Sequence, residues 1–101
     1  MLKILQRRKS NNAAPEEVLL DVRISDAKAL IWKGQARSIS TKNLEGPLDV
    51  LPMHANFITL LKNAPIHIQT KDGAVKRFTF PLAVMSVRDN IAHIYTEIIS
   101  K

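Results

Sequence analysis

Few residues in this chain have the means to do chemistry. Histidines stand at His54, His67 and His93, and none of the 101 residues is cysteine. A structural zinc site takes four nitrogen or sulfur ligands, so three imidazoles without a thiolate fall short of one. A catalytic three-histidine site is the remaining metal option, and the spacing gives it no support. A nucleophilic triad can be drawn from Ser38 or Ser40 with His54 and Asp49. Neither serine sits in the Gly-x-Ser-x-Gly elbow that lifts a hydroxyl out of a strand-to-helix turn. There is also no Gly-x-x-x-x-Gly-Lys-Ser/Thr loop to cradle nucleotide phosphates. Gly34, Gly46 and Gly73 read as turn residues instead. The expectation is a binding or structural piece with no catalytic residue, no metal site and no cofactor.

Charge narrows the partner. Fifteen Lys and Arg against nine Asp and Glu leave a net charge of +6. That invites an acidic partner, nucleic acid or anionic lipid, and a stand-alone β-sandwich module for such a partner is the alternative reading. The basic residues are mostly single, however, with only Arg7-Arg8-Lys9 and Lys76-Arg77 adjacent. One tryptophan and one tyrosine make a poor stacking platform, so direct nucleic-acid binding is not expected. The lack of cysteine fits a cytosolic setting. No apolar run approaches the ~20 residues that span a bilayer, and Leu2, Ile4 and Leu5 are too few for a secretory signal.

The elements that must position these residues are strands. Residues 1–17 are polar and basic and read as a flexible arm; 18–101 form the domain. Val18, Leu20, Val22 and Ile24 alternate with Asp21, Arg23 and Ser25, the period of a strand with one buried face. Leu30-Ile31-Trp32 belongs to a second strand, with Gly34 as a bend or bulge at its end, and 36–41 form a third. The corner around which the domain folds is 44–61. Glu45-Gly46-Pro47 reads as a turn, Leu48 to Leu51 as a short strand that Pro52 stops, and Phe57 to Leu61 as the next. Further strands follow at 66–69, 75–80, 82–87 and 91–98, with hairpin tips at Asp72-Gly73 and Asp89-Asn90. The reading is all-β: a β-sandwich of about nine or ten short antiparallel strands.

The corner resembles the N-terminal β-sandwich domain of the epsilon subunit of rotary ATP synthases, whose mitochondrial counterpart is called delta. The residues that carry the likeness are Gly34-Gln35-Ala36-Arg37-Ser38-Ile39, then Glu45-Gly46-Pro47-Leu48-Asp49-Val50-Leu51-Pro52-Met53-His54-Ala55. Leu20 to Ile24, Ile31-Trp32-Lys33-Gly34 and Ile66-His67-Ile68 fit neighbouring strands of that family, so the likeness covers about 18–97. Asn56 stands where the family has proline, and Pro81 to Val87 lacks its paired glycines. The resemblance implies a non-catalytic central-stalk subunit of a proton-translocating ATP synthase, with the gamma subunit and the c-ring as partners. It implies a peripheral subunit on the cytoplasmic face of a bacterial cell membrane. Loops 42–47 and 52–55 would gather at one end, with Asn43, Glu45, Pro47 and His54 facing the ring, and Gly34, Gly46 and Pro52 shaping turns. The family's C-terminal helical pair, which binds ATP or inhibits hydrolysis, is not expected, since Lys101 follows directly on the last strand.

Overall fold

A computed structural model of the chain describes residues 17–97. Its strands are β1 (Leu20–Ser25), β2 (Leu30–Asn43), β3 (Gly46–Val50), β4 (Phe57–Lys62), β5 (Pro65–Thr70), β6 (Val75–Thr79), β7 (Leu82–Arg88) and β8 (Ile91–Thr96). Their hydrogen-bonded order is β4-β7-β8-β1-β2-β5-β6, with β3 alongside β2. Residues 1–16, which hold nearly all of the expected arm, and 98–101 lie outside the described residues. Glu17 is described, and its carboxylate pairs with Arg37 Nε at 2.9 Å.

The long strand β2 makes this one sheet into two layers. Its first half pairs with β1, and its second half lies between β3 and β5. The register against β5 slips between Ala36 and Ser38. Such an irregularity bends a strand and raises its twist, which lets the sheet fold over on itself. Alternation then fills the interior from both layers. Leu20, Val22 and Ile24 of β1, Ile66 and Ile68 of β5, Met85 and Val87 of β7, and Ala92 and Ile94 of β8 are all buried. Trp32, Phe57, Phe78 and Phe80 pack against that core.

The architecture is all-β as expected, with differences in detail. The described residues form eight strands, because the two short strands expected at 30–41 are one continuous strand. Gly34 therefore lies inside β2, opposite Val22, and not at a strand end. Its missing side chain has another use: a Cβ built there would stand 2.7 Å from the Trp32 indole. The sheet is also not wholly antiparallel, since β1 and β8 pair in parallel from Asp21↔Ile91 to Ser25↔Tyr95. Local pattern does not show the parallel pairing, because β1 and β8 are far apart in sequence. The Asp89-Asn90 tip behaves as read: both residues have positive φ, 52° and 64°, between the paired Arg88 and Ile91. Gly73, at φ 92°, closes the other expected hairpin.

Candidate functional site

The first corner is the β2–β3 hairpin. Its tip is Leu44-Glu45, one position earlier than expected, and Gly46 and Pro47 already pair with Asn43 and Lys42. The Asn43 side chain explains the shift. Its Oδ1 accepts the Glu45 N–H at 2.8 Å, so the side chain itself closes the turn, while Nδ2 donates to Thr59 Oγ1 at 3.0 Å. Gly46, at φ 128°, completes the bend. Pro47 is tolerated in β3 because that strand pairs on one side only. Asn43 thus spends both ends of its amide inside the fold, whereas Glu45 and Pro47 are exposed.

The second corner holds His54. After Pro52 the chain turns through Met53, at φ 65°, whose N–H donates to Asn90 Oδ1 at 2.8 Å. Asn90 Nδ2 in turn donates to the Leu19 carbonyl at 2.7 Å, and the Asp89 N–H reaches Asn56 Oδ1 at 3.0 Å. His54 packs against Phe57 in a tilted arrangement with ring centroids 4.9 Å apart, and its Nδ1 lies 2.9 Å from the Ala55 carbonyl. The two corners stand at opposite ends of β3. They are not gathered at one end, and Asn43, Glu45 and Pro47 are together without His54.

The chemical groups do not assemble into a reactive site. Ser40 lies between Asp49 of β3 and His67 of β5, in one row across three strands. His54 is elsewhere. A working triad needs the histidine between serine and carboxylate, with hydrogen bonds joining them in that order. Here the serine is in the middle, and no hydrogen bond among the described residues links the three. The described residues also hold no group of three or more metal-ligating side chains.

What the fold does present is an apolar margin along the edge strand β4. Ile58 is 71% exposed, Leu44 at the adjoining hairpin tip 82%, and Met53 at the other corner 71%. Leu60, Val84 and Tyr95 continue it as one row across β4, β7 and β8, and all three are exposed. Clustered exposed apolar side chains mark sites of association. Sequence reading missed this margin, because β4 and β7 are apolar on both faces and their pattern does not say which face is buried. Leu44 gave a signal that was passed over, a large apolar residue beside a turn.

The family model described as "ATP synthase, Delta/Epsilon chain, beta-sandwich domain" matches residues 19–101. The chain is 32% identical over 73 residues to the ATP synthase epsilon chain of a Nitratiruptor species, covering 72% of this chain and 57% of that one. It is 26% identical over 78 residues to the ATP synthase epsilon chain of Brevibacillus brevis, covering 77% and 59%. The chain thus spans a little over half the length of these curated relatives. Its fold matches a chain of the Euglena gracilis mitochondrial ATP synthase OSCP/F1/c-ring structure at a TM-score of 0.72 and 15% identity, covering 88% of this chain and 57% of that one. A chain of the Tetrahymena thermophila mitochondrial ATP synthase central stalk/c-ring structure matches at 0.63 and 17% identity, covering 77% and 63%. On the extent of the family match, this chain belongs to the ATP synthase delta/epsilon chain β-sandwich domain family.

Proposed function

We propose that this chain is a non-catalytic central-stalk subunit of a proton-translocating ATP synthase. In this reading it couples the gamma subunit to rotation of the c-ring and sits on the cytoplasmic face of the cell membrane as a peripheral subunit. The supporting observation is the apolar margin of β4 on a domain of this family: Ile58, Leu60, Val84 and Tyr95 give a partner subunit an apolar face to cover. The Leu44-Glu45-Gly46-Pro47 tip is the end we assign to the ring, with Glu45 and Pro47 exposed for contact and Asn43 holding the turn. His54 is assigned to the other corner, where it orders the loop before β4. No helix of the described residues is long and apolar enough to cross a membrane.

The test is co-purification of the full chain from source membranes, with mass spectrometry of what accompanies it. Recovery of alpha, beta, gamma and c subunits is the expected result. Ile58→Glu and Leu60→Glu, both at exposed positions, should abolish that recovery while leaving the circular dichroism spectrum unchanged. Reversing the Glu45 charge should leave assembly intact and lower proton-coupled ATP synthesis. Recovery of the chain alone, or with nucleic acid that salt removes, would overturn the assignment.

A further inference from the structure

On the outer face of the β7-β8-β1 layer, three strands bring basic and polar side chains together. Arg23 of β1 is directly opposite His93 of β8, and His93 is opposite Ser86 of β7. Arg88 stands one outward position further along β7, and these four residues with Asp89, Ile91 and Tyr95 line a concavity of about 250 Å³. Arg23 Nε is buried there and has no hydrogen-bond partner, and no described carboxylate forms an ion pair with Arg23 or Arg88. A buried charged donor without an acceptor is costly, so the position calls for one to arrive from outside.

The surrounding groups select the acceptor. His93 is held by its Nε2 at 3.0 Å from Ser25 Oγ and by the Tyr95 ring stacked at 3.9 Å. Burial, and then the Arg23 charge, keep its imidazole below the usual pKa, so the ring is neutral near pH 7 and adds no charge of its own to the two guanidinium groups. Lys33, opposite Arg23 on β2, adds a third cation on this face. Two carboxylates oppose them. Asp21 is engaged by Gln35 at 3.5 Å, and Asp89 stands on the rim. We propose that Arg23, Arg88 and His93 form an oxyanion site that takes a carboxylate or phosphate group, with the two guanidinium forks as its donors. Planar forks match both groups bidentately. The site does not depend on the rotor assignment, because its ligand can be free in solution or carried on the side chain of a docked protein.

The experiment is a titration of the full chain, followed by nuclear magnetic resonance of the arginine Nε–H groups and the His93 ring. Inorganic phosphate and glutarate are added separately, each against sodium chloride of equal ionic strength. A saturable shift confined to Arg23, Arg88 and His93, with Kd on the order of 1 mM, is expected for such an open site. Saturation by glutarate but not phosphate would assign the site to a carboxylate, and by phosphate alone to a phosphate group. Arg88→Gln, an exposed change that leaves the core intact, should weaken binding about tenfold. The bound anion should also raise the pKa of His93. Shifts that fail to saturate, that spread evenly over all arginines, or that survive Arg88→Gln unchanged would overturn the proposal.

Discussion

Replacing Gly34 by alanine tests the inner-face packing of β2. Gly34 is not in the left-handed region, so alanine meets no backbone strain there. By backbone entropy alone the change should stabilise the strand by about 0.5–1 kcal/mol. Against this, the new Cβ would stand 2.7 Å from the Cη2 and Cζ2 atoms of Trp32, well inside van der Waals contact. The indole is half-buried, packs against the core and lies 6.3 Å from the Phe78 ring, so displacing it gives up part of that packing. Overpacking of this kind costs about 1–3 kcal/mol, which outweighs the entropy gain and leaves a net loss of about 1 kcal/mol. For a domain of this size that is roughly 4–8 °C in Tm. Urea unfolding provides the assay, and Trp32 is the chain's sole tryptophan, so its emission reports the displaced indole directly. The decisive comparison is the same change made in Trp32→Leu, followed by circular dichroism. With the indole gone, Gly34→Ala should reverse sign and stabilise by about 0.5–1 kcal/mol. A Gly34→Ala protein at least as stable as the native one, with unaltered emission, would refute the reasoning.

Asn90→Gly keeps the left-handed backbone but removes both side-chain hydrogen bonds, to Met53 and to Leu19; a loss of about 1–3 kcal/mol is expected from denaturant titration. Gly73→Ala, at φ 92°, should cost about 1–2 kcal/mol through backbone strain alone, since no atom lies within 4 Å of the added carbon. The pKa of His93 is lower in the folded chain than in the unfolded one. As pH falls through about 6.5 the unfolded chain therefore takes up the proton first, and stability declines until the folded pKa is passed. His93→Gln should flatten that part of the stability profile. In its ionised form Asp72 accepts hydrogen bonds from the Thr70 hydroxyl and the Ala74 N–H, which hold its pKa below 3.8. Its contribution is complete above that value and is lost as pH falls through the folded pKa, a loss that Asp72→Asn should remove from the profile.

How much of this was legible in the sequence depends on the range of the interaction. Alternation in β1 and β5 marks the buried face correctly, because Asp21, Arg23, Ser25, His67 and Gln69 occupy the other face. The Asp89-Asn90 and Asp72-Gly73 tips are local chemistry and could be read as such. In β7 the outward Leu82 and Val84 are as apolar as the inward Met85 and Val87, so composition could not say which side is solvent. The Glu45-Gly46-Pro47 turn was misplaced by one residue because the Asn43 side chain, not the Gly-Pro pair, closes it. The Arg23–His93–Ser86 row could not be read at all. It exists only because β1 and β8 pair in parallel, and no local pattern announces such a pairing.

That pairing also bears on how the chain is made. β1 lies between β2 and β8, so the middle of one layer stays open until the last strand arrives. The Asn90-to-Leu19 hydrogen bond joins positions 71 residues apart, and closing loops of that reach is slow. During synthesis from the N-terminus, Leu20, Val22 and Ile24 emerge early and must wait, with one strand edge unpaired, for Ile91–Thr96 to clear the ribosome. Nascent chains stalled before Ile91 are accordingly expected to remain protease-sensitive and to recruit chaperones, and protection should appear abruptly once β8 is free to insert. The domain would thus fold as a single late event after translation of its last strand, not hairpin by hairpin as it is made.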